Sequence, residues 1–204
     1  MKTALLTLAA FSGLASASPV LSGHNTQGFN VGMGTSGIAP AVATITIDLS
    51  GIESMDEFGD LSNTVMTIDG GLFAENSHVI GLGWDVTIMT NAVSWLSDTS
   101  IAVENSDGSA GAYVAPGSGV DMSGTTAFSS GGLIDLVDMG FDFFLLADGD
   151  FRLEFFEVFD DSADAVDASF LTGSTLTIQY TLVPAPGALA LMGLGGLVAG
   201  RRRR

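Results

Sequence analysis

The chain has 204 residues, 23 of them Asp or Glu against six Lys or Arg, for a formal charge of −17, yet 47% of its residues are apolar and its mean hydropathy is +0.45. Disorder needs low hydrophobicity together with high charge, so a disordered acidic tail is excluded and a folded core is expected. One domain suits this length, and a pI near 4.1 excludes nucleic acid as a partner, because such binding is built on Lys and Arg neutralising phosphates.

The cations mark the two ends. Lys2 opens the chain, Arg201, Arg202, Arg203 and Arg204 close it, and only Arg152 lies between, whereas all 23 acids fall between Asp48 and Asp167. Residues 1–17 combine a basic start, an apolar run from Ala4 to Ala15 and the small residues Ala15-Ser16-Ala17 before Ser18-Pro19. This is the three-part pattern of a secretory signal peptide, with cleavage by signal peptidase expected between Ala17 and Ser18. Residues 18–40 form a Gly- and Ser-rich leading segment in which Gly32-Met33-Gly34-Thr35-Ser36-Gly37 matches G-x-G-x-x-G. A dinucleotide site needs a helix after that turn, and Ile38-Ala39-Pro40 supplies none, so the match is compositional.

Residues 41–183 read as the folded domain, an all-β antiparallel sandwich of jelly-roll type with about eight strands. In Thr44 to Leu49 the apolar residues Ile45, Ile47 and Leu49 alternate with Thr and Asp; Thr175 to Leu182 repeats the pattern with Leu176, Ile178, Tyr180 and Leu182 inward. Phe151 to Phe155 alternates again, and the phase change at Phe156-Glu157-Val158 predicts a β-bulge between Phe155 and Phe156. Further strands are expected over Thr64–Ile68, Val79–Thr90, Ser100–Glu104 and Met139–Leu146, with long turns and one or two short strands in the Gly- and Ser-rich stretch from Asn105 to Gly132. There is no cysteine, so thiol chemistry is excluded and stability must come from the core or from bound ions.

Residues 184–204 begin with Pro184-Ala185-Pro186 and continue through an uncharged stretch to the four arginines. The positive-inside rule holds such a basic end on the cytoplasmic side. At about 1.5 Å per residue the helix after Pro186 reaches only about 21 Å, short for a permanent anchor. The order Val183-Pro184-Ala185-Pro186-Gly187, then Ala188 to Leu197, then Arg201 to Arg204 resembles the PEP-CTERM sorting signal of Gram-negative bacteria: a Pro-Glu-Pro-type motif, one membrane helix and a basic end. That resemblance implies processing near the motif by an exosortase, a membrane-embedded cysteine transpeptidase-like enzyme, in bacteria that usually also make exopolysaccharide. Ala185 stands where the family motif has Glu. The two prolines cannot continue a helix and so expose an extended segment at the membrane surface.

The domain itself, through Ser94-Trp95-Leu96-Ser97-Asp98, Asp148-Gly149-Asp150 to Asp161 and Gly173 to Tyr180, faintly resembles bacterial exported domains related to the proprotein convertase P-domain. It implies a sandwich that binds or shields and does not catalyse.

The residue types that serve general acid–base and nucleophilic catalysis are sparse, with neither Lys nor Cys in the domain. His78 is the best base for a Ser-His-Asp arrangement, but no G-x-S-x-G elbow accompanies it, and a local turn role accounts for it as well. With 23 acids, some carboxylate pair satisfies any glycosidase spacing, so proximity in sequence carries no information. For a metal, Asp148, Asp150, Asp160, Asp161, Asp164 and Asp167 offer the hard oxygens that Ca2+ takes six to eight at a time; the other reading has these aspartates capping turns through their own backbones. Arg152 is expected to alternate outward with Glu154 into a cross-strand ion pair. Trp84 and Trp95 are expected in the core, and Tyr113 partly exposed.

The reading is a non-enzymatic, exported protein that passes the inner membrane and is sorted to the cell surface or extracellular matrix, structural or adhesive in role, with exopolysaccharide as partner. The alternatives are a calcium-dependent carbohydrate-binding module and a secreted hydrolase using His78.

Overall fold

The computed structural model describes residues 20–25, 41–71, 74–91, 93–161 and 165–182. The signal-peptide segment with Ala17 and Ser18, the terminal segment with Pro184, Ala185, Pro186 and Arg201 to Arg204, and Asp164 lie outside these residues. No helix among the described residues is long and apolar enough to cross a membrane.

Two antiparallel sheets make up the fold. The first consists of β1 (Val20–Asn25), β7 (Ala110–Ala115), β6 (Thr99–Asn105), β11 (Asp150–Glu157) and β4 (Thr64–Asp69), in that spatial order. The second runs β2 (Val42–Asp48), β13 (Thr175–Thr181), β5 (His78–Thr90), β12 (Ala168–Phe170) and β3 (Glu53–Ser54). The 13-residue β5 is the spine of the second sheet. One of its edges takes β13 along Val79–Asp85 and then β12 along Ile88–Thr90; the other takes β10 (Phe143–Phe144), β9 (Ile134–Asp135) and β8 (Thr125–Ser129) in turn. Long apolar strands of this kind can be buried on both faces and still satisfy every backbone group through neighbours on both edges.

The inner faces meet through aromatic pairs across the sandwich: Phe151 of β11 stands edge-on to Tyr180 of β13 at 5.5 Å, and Phe155 of β11 to Phe170 of β12 at 5.4 Å. Around them Leu82, Ile88, Ile101, Val103, Leu153, Leu176 and Ile178 are fully buried. Each such side chain stabilises the fold by about 1.5–3 kcal/mol. The alternation in β2 and β13 places Ile47, Leu176, Ile178 and Tyr180 inside and the threonines outside.

Two expectations are corrected. β11 pairs with β6 in an unbroken register from Phe151↔Asn105 to Glu157↔Thr99, so no bulge separates Phe155 from Phe156. Strict alternation puts Phe155 inward, Phe156 on the outer face with Arg152 and Glu154, and Glu157 inward at the end of the sandwich. The expected strand Met139–Leu146 is instead the end of a four-residue helix α1 (Leu136–Met139) followed by the two-residue β10. Asp135 caps α1 by accepting from the Val137 and Asp138 amides at 2.9 and 3.1 Å, and Gly140 ends it in the left-handed region at φ 74°.

Candidate functional site

The outer face of the five-stranded sheet carries an ion triad. Arg152 on β11 lies directly across from Glu104 on β6, and its guanidinium donates to both Glu104 and Glu154, whose carboxylates are fully buried. Gly111 makes room for Glu104: a Cβ there would stand 2.7 Å from the Glu104 Cγ and 2.5 Å from the Val103 carbonyl. The loop between β3 and β4 covers Glu154, with the Gly59 amide at 2.5 Å and the Asn63 side-chain amide at 3.1 Å donating to its Oε1. Burial by itself lowers the Arg152 pKa, but the hydrogen bonds and charges of Glu154 and Glu104 outweigh it and raise the value. Arg152 is thus committed to the fold.

Beside this triad a cluster of three rings is built from separate elements: Phe58 from the loop, Tyr113 from β7 and Phe156 from β11, with centroids 5.0 to 5.6 Å apart in tilted and edge-on pairs. They line a hollow of about 460 Å3 together with Glu57, Ser100, Ala115, Val158 and Glu157, the last at the point where β11 leaves the sandwich. The Tyr113 hydroxyl is pushed up to about 12 by burial first and then by the charges of Glu104 and Glu154, which Arg152 only partly offsets. The electrostatic potential here is negative.

A second hollow, of about 300 Å3, is lined by Trp95, Asp98, Phe159 and Asp161. Val158 lines the first hollow and its neighbour Phe159 the second. Trp95 is 47% exposed and Phe159 62%. The expectation of a core Trp95 is therefore corrected; Trp84, 5% exposed, is the core tryptophan. Loop 91–98 carries Trp95 and is fixed at three points. The Ser94 hydroxyl donates to the buried Asp167 carboxylate at 2.7 Å, the Leu96 amide to the Met122 carbonyl at 2.9 Å, and the Val158 amide to the Asp98 carbonyl at 2.8 Å. Leu96 plugs the core while its neighbour Trp95 faces out. Burial, and then the charges of Asp161 and Asp121, raise the Asp98 pKa.

Of the aspartates proposed for calcium, the five among the described residues, Asp148, Asp150, Asp160, Asp161 and Asp167, do not converge. Asp148 and Asp150 lie at the start of β11, and Asp160 and Asp161 beyond its end. Its eight residues at about 3.3 Å each separate the two pairs. Asp148 accepts from the Ser106 hydroxyl at 2.6 Å and from the Asp150 amide at 3.2 Å, which lower its pKa, and Asp150 pairs across the sheet with Asp69. Asp167 is buried beneath loop 91–98. Among the described residues no group of three or more His, Asp or Glu side chains is placed to hold a metal ion. The Asp-x-Ser turns at Asp48, Asp60 and Asp107, each accepting from the amide two residues on at 2.9 Å, show what such aspartates do locally.

His78, the best base in the sequence, is held by Asp142 at 2.6 Å from its Nε2 and stacks on Phe144 at 4.4 Å and 10°. Sequence reasoning missed three features: the exposure of Trp95 and Phe159, the two hollows, and the inward Glu157. The Trp-x-x-Asp and Phe-x-Asp spacings were the only signals available.

No family model matches the chain, and no curated protein matches it. Among solved structures it is similar to the VP2 subviral particle of infectious bursal disease virus, at 14% identity and a TM-score of 0.31 over 89% of this chain and 54% of that one. The T13 particle of the same virus gives 13% identity and a TM-score of 0.29 over 78% and 40%. The chain thus spans about half the length of the first of these. At these scores the likeness assigns neither function nor a shared fold.

Proposed function

We propose that this chain is an exported β-sandwich protein of jelly-roll type, sorted by exosortase-type processing to the cell surface or extracellular matrix, where it has an adhesive role and takes exopolysaccharide as partner. The sorting part rests on the ends: a signal-peptide pattern over 1–17 and the Pro184-Ala185-Pro186, apolar stretch and Arg201–Arg204 order at the other terminus. The jelly-roll topology is supported by the antiparallel pairing of strands distant in sequence, β2 with β13 and β4 with β11. One observation carries the adhesive part. Trp95 and Phe159 are exposed beside one hollow, and the loop that carries Trp95 is held in place by hydrogen bonds to Met122, Val158 and Asp167. Exposed large aromatics held on a fixed support mark binding surfaces. Calcium has no part in this reading, because the aspartates of β11's two ends stand apart.

The test is fractionation of an exosortase-bearing Gram-negative host expressing the full chain. The expected product lacks residues 1–17 and the arginine tail and is found at the surface or in the matrix. Intact protein in the cytosol, with Met1 to Ala17 attached, overturns the sorting; trimmed protein that washes freely from the matrix overturns the adhesive role.

A further inference from the structure

The Trp95–Phe159 hollow has a chemical preference that follows from its charges. Its polar lining is Asp98 and Asp161, with Asp121 close enough to act on Asp98. Between Lys2 and Arg201 the chain's one Lys or Arg is Arg152, and Arg152 is engaged by Glu104 and Glu154. His78 is engaged by Asp142. Arg152 and His78 are thus committed elsewhere, and the charge of this hollow favours a cationic ligand.

We propose, building on the adhesive reading above, that this hollow binds an amino-sugar unit of a polycationic glycan, with the apolar face of the pyranose on Trp95 and its ammonium between Asp98 and Asp161. Three observations support that ligand. Charge complementarity favours it: Asp98 and Asp161 line the hollow, and burial first, then the charges of Asp161 and Asp121, raise the Asp98 pKa, a cost that an ammonium between the two carboxylates relieves. The walls are aromatic, and an ammonium beside Trp or Phe gains a further cation–π attraction. The volume of about 300 Å3 is at the lower limit of small-ligand sites, which suits a single sugar unit of a linear polymer. A bare divalent ion is the poorer occupant, because it wants six to eight oxygens and no group of three acids is assembled here among the described residues.

Calorimetric titration of the full chain separates the possibilities. The probes are a fully deacetylated glucosamine pentamer, its N-acetylated counterpart, an oligo-mannuronate and a pentalysine peptide. The amino pentamer is expected to bind at least tenfold more tightly than the acetylated one, and the uronate not to bind. Asp98→Asn with Asp161→Asn should erase the preference for the amine, and Trp95→Ala should weaken both glucosamine pentamers at least tenfold, with thermal melts confirming that these surface variants fold. Equal affinity for the amino and acetylated pentamers overturns the ammonium site and leaves the glycan surface standing. Binding untouched by Trp95→Ala removes the glycan surface from this hollow as well. Pentalysine bound as tightly as the amino pentamer, through the same residues, overturns the sugar assignment.

Discussion

Glu157 and Arg152 lie on opposite faces of β11, the first a buried acid and the second the cation shared by two buried carboxylates. Glu157 is buried at the end of the sandwich, where Ser54 donates to it, and its pKa is raised from 4.5 to about 8 by burial first, with Asp167 and Asp98 adding repulsion against the hydrogen bond of Ser54. The folded state therefore holds a proton that the unfolded chain releases near pH 4.5. Glu157's contribution is fully present below that pH and is lost progressively as pH rises to about 8. At about 1.4 kcal/mol per unit the loss is on the order of 5 kcal/mol. Glu157→Gln is expected to flatten the fall in urea-unfolding free energy between pH 5 and 8.5 and to be more stable than the parent at pH 8.5; parallel curves for the two proteins would disprove the assignment. Arg152 presents the opposite case, a cation needed by two buried carboxylates. Arg152→Met leaves them unpaired and is expected to cost about 3–5 kcal/mol, with much of it recovered when Glu104→Gln and Glu154→Gln are added; denaturant unfolding of the series measures both. The outward placement of Arg152 beside Glu154 and its cross-strand ion pair, made with Glu104, are legible from alternation; the second bond, to Glu154 on its own strand, is not. Nor is Glu157, because Phe-Glu-Val invites the reader to turn the Phe inward, whereas the ring is sheltered on the outer face by Phe58 and Tyr113 and the Glu by Ser54, contacts supplied by residues 43 to 103 positions away.

At the level of elements, strands whose partners bury one face were readable, since β2, β4 and β13 each alternate with period two, and β11 alternates polar with apolar as far as Phe155. The segment from Leu136 to Phe144 was not. Its apolar spacing fits a strand, but a capping Asp and a left-handed Gly divide it into a helical turn and a short edge pair. Loop 91–98 was equally opaque, because its shape depends on a backbone approach invisible in sequence. A Cβ at Gly117 would stand 2.2 Å from the Leu96 carbonyl oxygen and 3.3 Å from the Phe128 ring. Backbone cannot yield as a flexible side chain does, so Gly117→Ala is expected to cost about 1–3 kcal/mol and to shift the loop. Thermal melting measures the first. The second should register as altered acrylamide quenching of Trp95, against a Trp84→Phe background in which Trp95 is the lone emitter. Unchanged melting and quenching would mean that the loop does not rest on Gly117.

For the whole molecule, the charge is unevenly shared. Trimming at Ala17 and before the tail leaves 23 acids and one Arg, 23 − 1, or a net −22. Some of that charge is locally satisfied, by turn amides at Asp48, Asp60, Asp107 and Asp148 and by Arg152 at Glu104 and Glu154. The remainder repels itself across the surface and opposes the compact state. Screening acts within a Debye length of about 30 Å at 0.01 M salt and about 10 Å at 0.1 M, so the melting temperature should climb with NaCl over that range and then level off. Each kcal/mol of repulsion removed is worth about 2–4 °C at this chain length. Since the aspartates of the two ends of β11 stand a strand's length apart, calcium is expected to raise the melting temperature no more than magnesium at matched ionic strength. A steep, saturable response to calcium alone would show that the acids assemble a site after all, and a melting temperature indifferent to salt would show that the surface charge is too well dispersed to strain the fold.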